Sequence, residues 1–168
     1  AEAPVPAPGY ADVGEAGGGY AVALRWTALE PGTTFDAFAL LNDAKDFAAF
    51  REAAAILEVP AQNLLYADID GNIGYQMPGV IPVREGYDGK WPVPGWSSDV
   101  GWTGNIPFEA LPWAYNPPEG WIVTANQAVI GPDYPYFITD DWSYGARSQR
   151  IVDLLTAQIE EGRAFTIA

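Results

Sequence analysis

The sequence predicts a mixed α/β (α+β) fold, in which helices cover an antiparallel sheet and a long region rich in proline and tryptophan forms loops. The strongest observation is residues 63–76 (NLLYADIDGNIGYQ), where two short apolar runs flank Asp70-Gly71. Such a turn is typical of a β-hairpin, because glycine and asparagine tolerate the positive φ of a tight reversal. Helical spacing of apolar residues before the hairpin, and proline-rich sequence after it, complete the pattern.

Composition narrows the class of protein. The chain has 168 residues, of which 49% are hydrophobic and 18% charged, a balance typical of a folded domain with a buried core. Its formal net charge of −14 argues against nucleic acid or an anionic membrane as a partner. No apolar run in the sequence approaches the length of a membrane span.

Two residue types are missing from the chain, and this restricts its chemistry. Without cysteine, disulfides and thiolate metal sites are excluded. Without histidine, the commonest general base is missing, which excludes a Ser-His-Asp or Cys-His mechanism within this chain.

The N-terminal part is predicted to be irregular at first and regular afterwards. Residues 1–19 are rich in proline and glycine, which predicts an irregular lead-in before a single domain fragment over residues 20–168. Residues 20–27 (YAVALRWT) carry a large apolar side chain at every second position, which predicts a strand.

Two amphipathic helices are predicted between this strand and the hairpin. Thr33 or Thr34 can cap the first helix, and Asp46 can cap the second, which Pro60 would end. We expect both helices to pack on the sheet, and we assign no catalytic or binding role to them. Their apolar residues are Phe35, Phe38, Leu40 and Leu41 in the first helix, and Phe47, Phe50, Ala54 and Leu57 in the second.

Residues 78–118 lack a regular apolar pattern and are predicted to form a long loop region. Their tryptophans have two interpretations: the rings pack beneath the loop, or they form a stacking surface for a sugar or another flat ligand. The second interpretation makes the chain a non-catalytic, secreted carbohydrate-binding module, and this alternative stays open here. The rings concerned are Trp91, Trp96, Trp102 and Trp113.

One more strand and a final helix are predicted in the C-terminal part. Residues 120–126 (GWIVTAN) form the strand, in the same sheet as the hairpin, and it ends in Asn126. Arg147 and Arg150 lie in the first turns of the helix, where its dipole disfavours cations, so we expect a carboxylate or a substrate to hold them. The apolar face of the helix consists of Ile151, Leu154, Leu155 and Ile159.

Taken together and in order, several segments over about residues 20–160 resemble the penicillin acylase family of N-terminal-nucleophile amidohydrolases. The segments are ALRWTALEP (23–31), YADIDGNIGY (66–75), IPVR (81–84), WPVPGW (91–96), WTGNIPFEALP (102–112), YNPPEGWIVTANQ (115–127) and YGARSQRIVDLL (144–155).

This resemblance implies a four-layer αββα sandwich in a heterodimeric hydrolase that is cut from one precursor and is secreted or periplasmic. The nucleophile is a serine freed at the start of the large subunit, and its own α-amine is the base, so no histidine is needed. The chain would then be an internal segment of the large subunit without that serine, inactive alone, with the remaining segments of the precursor as partners. The implied substrates are N-acyl amides such as penicillins or acyl-homoserine lactones.

The resemblance also implies site residues. Asn126 matches the asparagine whose side-chain amide forms half of the oxyanion hole, and Gln127 follows it where an asparagine is common. Arg147 matches an arginine that lies near the nucleophile and this asparagine.

No cofactor is implied for catalysis, but the family often binds a structural calcium ion. The matching positions are near Gly89, through its backbone oxygen, and near Asp140 or Asp141. Because calcium takes six to eight oxygen ligands, segments outside this chain would have to supply the rest.

Overall fold

The computed structural model describes residues 22–165, and within them it contains three α-helices and five strands. This confirms the predicted mixed α/β class, whereas the predicted lead-in over residues 1–19 lies outside the described residues. Short 3₁₀ helices cover Thr27–Leu29 and Phe108–Ala110. The regular elements are α1 (Thr34–Asp43), α2 (Phe47–Ala55), β1 (Leu64–Ala67), β2 (Ile73–Gln76), β3 (Pro82–Glu85), β4 (Gly101–Asn105), β5 (Trp113–Tyr115) and α3 (Ala146–Glu160).

The strands form two antiparallel sheets. Strand β2 lies between β1 and β5, so that Tyr75 pairs with Leu65 on one side and with Ala114 on the other. Strands β3 and β4 form the second sheet, with an irregular register between Val83 and Arg84. The prediction of antiparallel sheets is therefore confirmed.

The predicted hairpin is confirmed as β1 and β2, but its turn is wider than the Asp-Gly pair indicated. Residues 68–72 connect the strands, and Ile69, which we predicted to lie in the first strand, is fully exposed in this turn. Oδ1 of Asp68 accepts hydrogen bonds from the backbone N–H groups of Asp70 (3.0 Å) and Asn72 (2.9 Å). The carboxylate of Asp68 thus stabilises the reversal of the chain between β1 and β2.

Helix α2 packs against the three-stranded sheet through an aromatic cluster. Asp46 caps the helix as predicted, since its Oδ1 accepts from the N–H of Ala49 at 2.8 Å. The Phe47 ring stacks on Tyr115 with 4.5 Å between the ring centroids and lies 5.5 Å from the ring of Tyr66. This burial explains why the helix follows the predicted amphipathic pattern.

The threonines at the start of α1 act differently from the prediction. Thr33 precedes the helix, but its side chain makes no capping hydrogen bond. Instead, Oγ1 of Thr33 donates to the carbonyl of Ile56 at 2.8 Å, and Oγ1 of Thr34 donates to the carbonyl of Val59 at 3.0 Å. These bonds tie the start of α1 to the end of α2.

The hydrophobic core lies around strand β2 and the segments that follow it. Its buried members are Tyr75, Met77, Ile81, Ile106 and Leu111. Partly buried side chains pack against them, including Val83 and Phe108 as well as Ile122, Val129, Tyr136 and Ile138 from the segment before α3. The core therefore joins both sheets to residues 120–138.

Two predicted strands are absent. Residues 22–26 are irregular and 27–29 form a 3₁₀ helix, so the strand predicted over residues 20–27 is wrong from residue 22 onward. Residues 120–126 are irregular as well, so they do not extend the sheet of the hairpin. An alternating pattern becomes a strand only beside a hydrogen-bonding neighbour, and no strand in residues 22–165 pairs with either segment.

Residues 78–118 were predicted to be loops, yet they contain β3, β4 and β5. Strand β4 has the sequence GWTGN, and glycine is depleted in strands because it adds no side chain to pack. Strand β3 begins with Pro82, and the first residue of a strand is one of the few strand positions that tolerate proline. The local sequence thus gives no sign of the β3–β4 pair, which forms between segments that are far apart in the chain.

Several apolar side chains of the helices are exposed within the described residues. The exposed fractions are 88% for Phe35 on α1, and 53% and 47% for Leu154 and Ile159 on α3. An apolar groove of about 370 Å³ lies between β1, β2 and α3, with Ile73 and Leu155 among its lining residues. None of the helices in residues 22–165 is long and apolar enough to cross a membrane.

Candidate active site

Asn126 and Arg147, the two predicted catalytic residues, are in direct contact. Nη2 of Arg147 donates a hydrogen bond to Oδ1 of Asn126, with 3.1 Å between the two atoms. Because a guanidinium group can only donate, this bond fixes which end of the amide faces Arg147. Among residues 22–165, Nδ2 of Asn126 donates no hydrogen bond. The amide N–H₂ group is therefore available to another acceptor.

The backbone of Asn126 has an unusual conformation. Its φ is +66°, in the left-handed region that asparagine tolerates better than most other residues. Its carbonyl oxygen accepts a hydrogen bond from the N–H of Ser143 at 2.7 Å. This bond joins the Asn126 segment to the chain just before α3, and it brings the residue close to the helix that carries Arg147.

The start of α3 sets the position of Arg147. Gly145 precedes the helix with φ +86°, a conformation that glycine adopts without strain. Its carbonyl accepts from the N–H of Gln149 at 2.8 Å and from Oγ of Ser148 at 2.9 Å. Helix α3 then begins at Ala146, so that Arg147 lies in its first turn and points to Asn126.

Arg147 was expected to be held by a carboxylate or a substrate, and the structure shows a neutral amide instead. No carboxylate of residues 22–165 forms an ion pair with Arg147. Both Arg147 and Asn126 are exposed in the described part of the chain. The pair thus presents a guanidinium charge and an amide donor side by side, an arrangement that can stabilise negative charge on a bound group.

The four tryptophans of the loop region divide into two kinds. Trp91 and Trp96 are each 78% exposed, so their rings do not pack beneath the loop. Trp102 lies against Arg25, whose guanidinium carbon is 4.3 Å from the ring centroid, and Trp113 lies against Arg51 at 4.6 Å. Trp91 and Trp96 are thus largely exposed, whereas Trp102 and Trp113 each contact an arginine, and Trp113 is still 50% exposed.

The predicted calcium positions lie beside cations. Nζ of Lys90 is 2.8 Å from Oδ1 of Asp140, and this hydrogen-bonded ion pair raises the pKa of Lys90 and lowers the pKa of Asp140. A side chain at Gly89 would come within 2.7 Å of Nε of Arg84. Within residues 22–165 no group of three or more acidic side chains could hold a metal ion. These residues alone do not fit calcium, and the participation of Gly89 and Asp140 stays a prediction.

Two contributions to the site were not foreseen from the sequence: the N–H of Ser143 and the side chain of Gln127. The first is a backbone group, which any residue could supply, so no sequence signal exists for it. The second had one signal, since Gln127 stands where the resemblance would favour an asparagine. Its hydrogen bonds lie entirely within residues 123–127.

Comparisons with known proteins place this chain in a family. Residues 5–168 match the sequence model of the family described as penicillin amidase. The chain is 32% identical over 149 residues to the acyl-homoserine lactone acylase QuiP of Pseudomonas fluorescens, covering 89% of this chain and 18% of that protein. It is 35% identical over 140 residues to the penicillin acylase 2 proenzyme of a Pseudomonas species, covering 83% of this chain and 18% of that protein.

A solved structure agrees with the sequence relatives. The thermostable penicillin G acylase from Alcaligenes faecalis matches with a TM-score of 0.64 and 32% identity, over 74% of this chain and 22% of that one. The fold and the match define a mixed α/β segment similar to part of the penicillin G acylase structure. The chain belongs to the penicillin amidase family. It spans 18% of the length of the two Pseudomonas relatives.

Proposed function

We propose that this chain is part of an amidohydrolase that cleaves N-acyl amide bonds by acyl transfer to an N-terminal serine supplied by another segment of the same precursor. In this proposal Asn126 donates one hydrogen bond of the oxyanion hole. The observation that carries it is the 3.1 Å contact between Nη2 of Arg147 and Oδ1 of Asn126, which leaves Nδ2 of Asn126 as a donor.

The chemistry of acyl transfer explains why such a donor is needed. When a nucleophile attacks an amide carbonyl, negative charge develops on the carbonyl oxygen in the tetrahedral intermediate. A donor that is already in place stabilises this charge without reorganisation, and loss of one such donor costs on the order of 100- to 1,000-fold in rate. The fixed orientation of the Asn126 amide suits it to this role.

Arg147 contributes through Asn126 in this account. Its positive charge draws electron density towards Oδ1 of the amide, and a polarised amide is a stronger donor at its N–H. The same hydrogen bond keeps the amide from rotating into the opposite orientation, in which Oδ1 would face the oxyanion. Arg147 is therefore assigned as a positioning residue, which prepares Asn126 and leaves the charge of the intermediate to the amide.

The relatives supply the substrate class. One is named a penicillin acylase proenzyme and another an acyl-homoserine lactone acylase, and both names refer to removal of an acyl group. We propose N-acyl amides as the substrates of the whole protein, within a four-layer αββα sandwich that is secreted or periplasmic. The carbohydrate-binding alternative draws no support from these relatives and is not proposed.

The experiment requires the whole protein that contains this chain. Its self-cleavage is followed by mass, and the release of acyl groups from a penicillin and from an acyl-homoserine lactone is measured for wild type and for Asn126→Ala. We expect the variant to lose on the order of 100- to 1,000-fold in kcat/KM. Asn42→Ala, a change of an exposed asparagine on α1, is the matched control. Turnover of Asn126→Ala within a few-fold of wild type would contradict the proposal.

A further inference from the structure

Gln127, the residue after Asn126, folds its side chain back onto its own backbone. Its Oε1 accepts a hydrogen bond from the N–H of Ala125 at 2.6 Å, and its Nε2 donates to the carbonyl of Val123 at 2.7 Å. An N–H can only donate and a carbonyl can only accept, so the orientation of the side-chain amide is fixed. The side chain thereby closes a ring over residues 123–127.

These two hydrogen bonds take the place of a neighbouring strand. No strand in residues 22–165 pairs with residues 120–127, although their sequence alternates as a strand would. Ala125 is 5% exposed, so its N–H would be buried without an acceptor if Gln127 were absent. Such a group is strongly unfavourable, which means that the conformation of this segment depends on the glutamine.

Asn126 lies within this ring, between Ala125, whose N–H donates to the Gln127 side chain, and Gln127 itself. Asn126 has φ +66°, a left-handed conformation that asparagine tolerates but that restraints from its surroundings make more stable. On one side the ring made by Gln127 holds it. On the other side its carbonyl accepts from the N–H of Ser143 at 2.7 Å. Between these restraints its side chain reaches Arg147.

We infer that Gln127 is a positioning residue, whose ring holds Asn126 in the left-handed conformation that brings Oδ1 to Arg147 and frees Nδ2 to donate. This inference rests on the proposed function of Asn126. In this chain the two hydrogen bonds need a side-chain amide at the length of glutamine, and methionine has a similar length without either hydrogen bond. Glutamate could accept from the N–H of Ala125, but it would place a carboxylate against the carbonyl of Val123.

The test uses the whole protein with Gln127→Met and Gln127→Glu. We expect kcat for acyl release to fall on the order of 10- to 100-fold in Gln127→Met, as displaced catalytic groups do, with KM little changed. Gln127→Glu keeps the hydrogen bond to Ala125 but places a carboxylate against the carbonyl of Val123, so it should also lower kcat. Gln158→Met is the matched control, because that glutamine also donates to a backbone carbonyl, that of Ala164, at 3.2 Å.

A crystal structure of Gln127→Met adds a readout that does not depend on activity. The expected result is that Asn126 leaves its left-handed conformation and loses the hydrogen bond to Arg147. If this contact persists, or if kcat of Gln127→Met equals wild type while Asn126→Ala is impaired, the inference is overturned and the proposed function stands. A wild-type protein without amidase activity would contradict the proposed function, and the crystal structure would then decide on Gln127 alone.

Discussion

The ring of Phe47 occupies the space that a side chain at Gly74 would require. A Cβ atom at Gly74 would lie 2.3 Å from Cε2 of Phe47, well inside van der Waals contact. The ring has little room to move away, since Phe47 is only 9% exposed and stacks on Tyr115. Helix α2 can therefore approach the sheet closely because strand β2 has a glycine at this position.

Gly74→Ala should consequently destabilise the protein. We expect the free energy of unfolding to fall by about 1–3 kcal/mol, the usual cost of inserting atoms into a packed site. Thermal unfolding of the whole protein measures this as a lower melting temperature. Gly101→Ala, in strand β4 with no atoms within 4 Å of the added Cβ, should change it little. Equal melting temperatures for the two variants would contradict the packing argument.

We expect the stability of the hairpin turn to depend on pH. A hydrogen bond from the side chain of Asn72 is the main cause that lowers the pKa of Asp68 below its ordinary value of 3.8. A carboxyl group whose pKa is lowered by folding stabilises the folded state above its unfolded pKa, and this contribution is lost as pH falls through the folded pKa. The turn should therefore loosen only in acid, below pH 3.8.

Hydrogen exchange at the N–H of Asn72, which donates to Asp68, measures this effect. In the whole protein its protection factor should be high at neutral pH and should decline in acid. Asp68→Asn should lower it by about 10-fold at neutral pH and remove most of the pH dependence. Asp70→Asn, in the same turn, is the control. Unchanged protection in Asp68→Asn would show that the carboxylate does not hold the turn.

Arg51 binds one buried and one exposed partner, and we expect the two contacts to contribute differently to the free energy of unfolding. Its Nε donates to Oε1 of Gln76, which is fully buried, and its Nη2 lies 2.9 Å from Oε2 of Glu109, which is 77% exposed. Arg51→Met leaves the buried amide oxygen unpaired and should cost about 1–3 kcal/mol of stability. Glu109→Gln removes only a surface ion pair and should cost less than about 1 kcal/mol. Chemical denaturation that ranks the two variants in the opposite order would contradict this assignment.

The elements that the sequence predicted correctly are those specified by local chemistry. Asp46 caps α2, Asp70-Gly71 lies in the hairpin turn, and apolar spacing defines the helices. The strands that were missed or wrongly predicted depend on pairing partners instead. Glycine-rich β4 forms because β3 lies beside it, whereas residues 120–126 remain irregular without a paired strand. A single sequence shows where apolar and polar residues alternate, but it does not show which neighbouring strand supplies the hydrogen bonds.

Two side chains of the candidate site were named from the sequence, and their catalytic roles stay a prediction. The resemblance named Asn126 and Arg147, which are 21 positions apart in sequence, and the structure brings them into contact. The left-handed backbone of Asn126, its bond to Ser143 and the ring closed by Gln127 were not predicted. The bond to Ser143 arises where two segments meet in space, and no spacing within one segment encodes it. The ring closed by Gln127 lies within residues 123–127, but an alternating apolar pattern does not reveal it.

A double-mutant cycle on Asn126 and Arg147 tests the central claim most directly. The kcat/KM of the whole protein is measured for wild type, Asn126→Ala, Arg147→Met and the double variant. If Arg147 acts through the amide of Asn126, its removal should cost on the order of 10-fold in the wild-type background and almost nothing once Asn126 is alanine. Equal losses in both backgrounds would contradict the account, because Arg147 would then act independently of Asn126.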